Sequence, residues 1–189
     1  YKNNLDINQP IIALLPGSRL QEIKKILPVF LSITDIFESY QFVIGGIKSI
    51  DKEKYNELTK HKNVKVVFNQ TYNLLANSKA AIVTSGTASL EAAIFKVPQV
   101  VCYKTSFVSY FIGKMLVNIK YISLVNLILN NKIVDELVQG ELNSNNLKNS
   151  INKILKKDNR LEMINAYNNL INMLYAENPS RKTAELIVR

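Results

Sequence analysis

The sequence predicts an α/β fold in which a parallel sheet carries helices on both faces, and three features predict it. Short, nearly continuous apolar runs recur through the first half of the chain, at residues 11–15, 42–44, 64–68, 81–83 and 100–103. A run without polar alternation belongs to a strand covered on both sides, as in a parallel sheet, whereas a one-sided sheet alternates. The intervals are long enough for crossover helices. Gly45-Gly46 and Pro98 supply the clearest punctuation between elements.

The elements follow in order. Helices are expected over residues 19–39, 51–60, 72–76 and 87–95, each after a strand. Beyond Tyr103 the pattern changes to an apolar helix over 107–117, an irregular connection containing Asn126, and helical stretches at 135–138, 146–156 and 160–175. A last short helix follows Pro179, with Ser180 as its N-cap. The whole reads as a Rossmann-like sheet domain with added C-terminal helices, and 189 residues suit one domain spanning 1–189.

Composition narrows the function classes. Hydrophobic residues at 47% and charged residues at 21% describe a globular protein. No stretch approaches the roughly 18 apolar residues of a membrane span, because Lys104, Lys114 and Lys120 break the longest ones. Cys102 is the sole cysteine, which excludes an internal disulfide and a thiolate metal cluster and suits a reducing cytoplasm. The one histidine, His61, lies between two lysines at a predicted helix end and reads as an exposed loop residue. Histidine acid–base chemistry is therefore not expected, and neither is a metal or a cofactor. The net charge of +9 draws phosphates, nucleic acid and anionic lipid alike, without choosing among them.

Two strand–turn–helix junctions carry chemistry. In Leu14-Leu15-Pro16-Gly17-Ser18-Arg19 a buried strand runs into a glycine turn, and a helix with Glu22 in its first turns begins beyond it. Such a turn offers free backbone N–H groups and a hydroxyl at the carboxyl end of a strand, with Arg19 adding a fixed charge. The second junction, residues 81–91, repeats the plan: Gly86 lets a ligand approach the main chain, Ser85 and Thr87 supply hydroxyls, and the helix start favours a diphosphate. Glu91 follows Thr87 by one helical turn, where a carboxylate can accept from both hydroxyls of a ribose. Neither junction is a P-loop or a dinucleotide fingerprint, because Gly-Lys-Ser/Thr and Gly-x-Gly-x-x-Gly are both absent. By spacing alone, Asn126 reads as satisfying local backbone, and Gln139 carries no signal of its own.

The ordered set Leu-Pro-Gly-Ser-Arg-x-x-Glu-Ile (15–23), Ser-Gly-Thr-Ala-Ser-Leu-Glu (85–91), Pro-x-Val-Val-x-Tyr (98–103), Tyr-Ile-Ser-Leu-x-Asn-Leu-Ile (121–128) and Glu-Leu-x-Gln (136–139) resembles the C-terminal half of the lipid A disaccharide synthase family. The resemblance implies a two-domain GT-B glycosyltransferase joining UDP-2,3-diacylglucosamine to 2,3-diacylglucosamine 1-phosphate. It further implies no required metal and a cytoplasmic protein peripheral on the inner membrane of a Gram-negative bacterium. Carried over, Gly17, Ser18 and Arg19 lie beside the donor diphosphate. Ser85, Gly86 and Thr87 hold it, Glu91 takes the ribose, and Asn126 and Gln139 complete the donor side. The acceptor domain, with its general base, has no counterpart before Ile11, so this chain alone is expected to be inactive. The family usually has a proline where this chain has Val125, a change that loosens the local turn. The interleaved apolar and basic residues from Phe107 to Leu129 suit a membrane surface, an acyl groove or a helix packed on the sheet.

Other UDP-sugar transferases or epimerases of the same architecture are the alternative, although such epimerases carry Gly-Gly-x-x-Glu-Glu where this chain has residues 85–91. A nucleic-acid module is not expected, because the aromatics lie in apolar runs rather than on a charged sheet face.

Overall fold

A computed structural model describes residues 5–104 and 120–176. Its centre is a six-stranded sheet, all parallel, of β1 (Ile11–Leu15), β2 (Gln41–Gly46), β3 (Val64–Phe68), β4 (Ser78–Thr84), β5 (Gln99–Tyr103) and β6 (Asp135–Val138). The spatial order is β3-β2-β1-β4-β5-β6. This is the doubly wound order, in which the chain steps outward from β1 to one edge and then returns to build the other half from β4. Five strands are those the apolar runs predicted. Ile12, Ala13 and Leu14 of β1 and Ala80 to Val83 of β4 have no exposed surface, as a sheet clothed on both faces requires.

Seven helices lie among the described residues: α1 (Leu20–Leu31), α2 (Lys52–Leu58), α3 (Thr71–Ala76), α4 (Thr87–Ile94), α5 (Leu124–Leu129), α6 (Ser144–Leu155) and α7 (Lys157–Ala176). α2 and α6 pack with α1, and α5 and α7 pack with α4. α3 joins the α4 group through Tyr72, whose ring lies 5.5 Å from that of Phe95. α7 passes the amino-terminal edge of the sheet, where Arg160 donates to the Lys79 carbonyl at 2.6 Å. Buried Gln99, the first residue of β5, donates to the Ser89 carbonyl and to the Tyr167 hydroxyl. That amide ties β5, α4 and α7 into one body, and burial raises the Tyr167 hydroxyl pKa well above its ordinary value.

Three expectations need correction. Residues 135–138 form an edge strand rather than a helix, pairing Val100 with Asp135 through to Tyr103 with Val138. Four residues are too few to show a helical period, and the open edge of β5 overrides the helical preference of Glu and Leu. The first helix stops at Leu31 rather than running to residue 39: it carries Pro28, and past its end a 3-10 turn, Thr34–Ile36, takes over. The Thr34 hydroxyl donates to the Leu31 carbonyl and closes that turn. The connection around Asn126 is helical, with Ser123 as the N-cap of α5. The helices expected at 107–117 and after Pro179 lie outside the described residues.

Truncating Ile82, which is fully buried in the sheet, removes packing on both of its neighbouring strands. Ile82→Ala is expected to lower unfolding free energy by about 2–5 kcal/mol, read from the midpoint of a urea transition.

Candidate functional site

The strand order fixes where a ligand can sit. β1 leads through α1 to β2 on one side, and β4 leads through α4 to β5 on the other. The two connections diverge and leave a crevice beyond the carboxyl ends of β1 and β4. A cleft of about 380 Å³ occupies that place, lined by both turns and by Gly45, Ile47 and Thr71. The turns touch: a Cβ on Gly17 would lie 2.9 Å from Glu22 Oε2 and 3.5 Å from Thr84 Oγ1.

Both turns need glycine for conformational reasons. Gly17 has φ +108° and Gly86 has φ +139°, the latter with ψ −159°. That last combination is reached essentially by glycine alone. Nothing lies within 4 Å of where a Gly86 Cβ would be. The residue is therefore selected by backbone shape, and the space in front of it is open to a ligand.

Gly86 is the N-cap of α4 and has no side chain to close the helix, so Ser85 is not the cap. The Ser89 N–H and the Ser89 hydroxyl both reach the Gly86 carbonyl. Among the described residues none accepts from the N–H groups of Gly86, Thr87 or Ala88, and α4 has no acidic residue in its first turn. These three donors, at the positive end of the helix dipole, could hold an anion.

Ser85 stands behind this turn. Its N–H donates to the Cys102 carbonyl at 2.9 Å and its hydroxyl to the Ile122 carbonyl at 3.0 Å. Its proton is thus engaged by the protein, which leaves Thr87 and Ser18, both exposed, as the hydroxyls free to serve a ligand. Cys102, wholly buried beneath, has its thiol pKa pushed far up by desolvation, which rules out a thiolate nucleophile there.

On the other side of the cleft Arg19 caps α1 with extended backbone and a largely free side chain. Its guanidinium is 82% exposed and reaches Glu22 at 3.5 Å. An exposed pair of this kind contributes little to stability, so Arg19 can turn to a ligand at small cost. Glu91, half-buried one turn into α4, borders the cleft and also a neighbouring hollow of about 460 Å³ lined by residues 69–73. A ligand with its anionic part on Gly86 to Ala88 therefore passes the Glu91 carboxylate on its way into the second hollow.

Seven of the nine residues singled out from sequence, Gly17, Ser18, Arg19, Ser85, Gly86, Thr87 and Glu91, meet at this one cleft. The other two do not line it. Asn126 is fully buried, and all of its bonds go to the protein. Its Oδ1 accepts from the N–H groups of Ile133 and Val134, and its Nδ2 donates to the Val134 carbonyl and to Glu136 Oε1. Glu136 also accepts from the N–H groups of Ile122 and Ser123, both at 2.9 Å. The Ile122 carbonyl that holds Ser85 is thereby fixed from behind. Gln139 follows β6 with φ +51°, and its Nε2 is buried without a partner among the described residues.

Sequence reading missed Glu22, Thr71 and Thr84 as cleft residues. Glu22 had a signal, a carboxylate within the first turn after the glycine turn. Thr84 lay within the second junction without being singled out, and Thr71 had no signal, because only the fold brings the start of α3 to the same crevice as the end of β4. His61 is exposed, with φ +70°, as expected.

A doubly wound parallel sheet, with two glycine turns facing one crevice and a carboxylate one turn into the second helix, has the Rossmann-like architecture of a GT-B glycosyltransferase domain. Comparison with known proteins places it more closely. The family model described as Lipid-A-disaccharide synthetase matches residues 1–188, and the chain belongs to that family. It is 38% identical over 174 residues to the lipid-A-disaccharide synthase of Sulfurihydrogenibium sp. (strain YO3AOP1), covering 84% of this chain and 45% of that protein. The enzyme of Psychromonas ingrahamii is 32% identical over 192 residues, covering 97% of this chain and 50% of its own length. The chain thus spans about half the length of the curated relatives it matches. Among solved structures the calicheamicin glycosyltransferase CalG4 shares the fold, with TM-score 0.61 at 16% identity over 97% of this chain and 42% of its own.

Two substitutions test the architecture of the site. Asn126→Ala strands the buried Val134 N–H and removes a bond each from the Ile133 N–H, the Val134 carbonyl and Glu136 Oε1, and is expected to cost about 1–3 kcal/mol in urea unfolding. Gly86→Ala meets no steric obstacle, so its expected loss of about 1–3 kcal/mol is backbone strain alone. A Gly86→Ala protein of unchanged stability would show that the turn is not held in the glycine-only region.

Proposed function

We propose that this chain is the donor-binding half of a lipid A disaccharide synthase, holding UDP-2,3-diacylglucosamine for transfer to 2,3-diacylglucosamine 1-phosphate. Family membership supports the reaction class. The observation that carries the reading for this domain is the set of unpaired N–H groups on Gly86, Thr87 and Ala88, with Glu91 one turn further in. On this reading the diphosphate sits on those three donors with Arg19 across from it, and the ribose hydroxyls donate to Glu91. The base then enters the hollow lined by residues 69–73.

Transfer breaks the bond between the donor's anomeric carbon and the diphosphate, and the electron pair goes to the departing phosphate oxygen. Oriented N–H groups and a guanidinium stabilise that charge without reorganising, which is the part of catalysis this domain is built to supply. The acceptor and the group that removes its hydroxyl proton are assigned to the portion of the relatives' length outside this chain. Gln139 remains in the reading as a donor-side group, supported by its buried, unpartnered amide. Among the described residues no helix is long and apolar enough to cross a membrane. The lipid substrates, the Gram-negative relatives and the net charge of +9 favour a peripheral association with the inner membrane.

Isothermal titration with UDP tests the reading. Saturable binding is expected, weakened at least about tenfold by Glu91→Ala through loss of two charge-assisted hydrogen bonds. Duplex DNA at two salt concentrations is the control. Equal, steeply salt-dependent binding of UDP and DNA would show a general polyanion surface instead.

A further inference from the structure

The cleft proposed for a diphosphate contains a carboxylate that the donor-binding reading does not use. Glu22 lies in the first turn of α1, and its Oε2 is packed against the Gly17 turn, 2.9 Å from where a Cβ on that residue would be. Among the described residues its side chain pairs only with Arg19, at 3.5 Å, and 39% of it is exposed. Arg19 is the sole cation among the described residues lining the cleft, against two carboxylates, Glu22 and Glu91. The two helix starts are also unlike each other: α4 has no acid in its first turn, whereas α1 has Glu22. A carboxylate at a helix start ordinarily complements the dipole. Here the same side chain is turned onto the glycine turn at the cleft wall, where it faces whatever anion the cleft holds.

We infer that Glu22 is a specificity-determining residue that biases the cleft against free UDP in favour of a UDP-sugar. The inference rests on the donor-binding reading above. In a UDP-sugar the terminal phosphate is esterified and the diphosphate carries two negative charges. Breaking the glycosidic bond leaves its electron pair on that phosphate oxygen, and free UDP at neutral pH carries a third charge, its second phosphate ionisation lying near about 6. A fixed carboxylate at the cleft wall repels every phosphate charge, so it opposes product more than donor. The donor is tolerated because the α4 N–H groups and Arg19 hold two charges, and the third appears only after transfer. Product release limits turnover in many enzymes, and a built-in repulsion of the product hastens it.

One unit charge a few ångströms away in a half-exposed cleft changes affinity by roughly threefold. The test measures Kd for UDP and for UDP-N-acetylglucosamine on this chain and on its Glu22→Gln and Arg19→Gln variants by calorimetry. Glu22→Gln is expected to tighten both ligands and to tighten UDP by roughly threefold more. Arg19→Gln is expected to weaken both. Equal factors for the two ligands in Glu22→Gln, or no change, would overturn the inference while leaving the nucleotide site standing. Failure of the unaltered chain to bind either ligand would overturn the site reading and this inference together.

Discussion

The structure depends on β1 and β4 lying side by side. Parallel strands joined by right-handed crossovers must place their helices on opposite faces when the chain reverses its direction of travel across the sheet, and that reversal falls between these two strands. Their carboxyl ends then share a crevice that neither connection covers. The residues entering it are main chain by necessity, since Gly17 and Gly86 both hold positive φ and present no side chain. The placement of these unpaired main-chain groups is thus a consequence of topology.

Such a site works only if the turns are rigid, and rigidity comes from buried polar groups remote from the ligand. Glu136 on the edge strand fixes the backbone at Ile122 and Ser123, and Ile122 holds Ser85. Asn126 closes the same loop onto residues 133 and 134. The proline usual in the family would stiffen this turn covalently. With Val125 in its place, the Ser123 cap and the Asn126 and Glu136 bonds hold it instead. Glu136 and Asn126 do not line the cleft; they hold the backbone behind Ser85 and the β4–α4 turn.

Much of this was legible in the sequence, and what was not has physical causes. Continuous apolar runs announced β1, β2, β4 and β5 because burial on both faces leaves a one-dimensional trace, and the valine-rich run of β3 announced it although that edge strand buries only Val67. β6 left none, since an edge strand of four residues with only Leu137 buried has neither run nor period. The two glycine turns were legible because a strand, a glycine and a helix start occur in series. Their meeting was not visible without the order of strands. Asn126 shows the limit from the other side: spacing suggested that it satisfies local backbone, and the network of bonds around it supports that plain reading more directly than a ligand contact.

The surplus of nine positive charges explains less than it first suggests. A diffuse basic surface raises the local concentration of any anion, but within a Debye length of about 10 Å the near field decides. In the cleft that near field comes from oriented N–H groups, one arginine and two carboxylates, which together are close to neutral. Recognition there has to come from direction rather than total charge. On the proposed reading the donors aim at one locus, a carboxylate one turn away takes a diol, and a second carboxylate opposes excess charge. A site of this composition could discriminate between anions of similar charge, whereas in a strongly basic pocket added cations would strengthen the more highly charged product more than the donor.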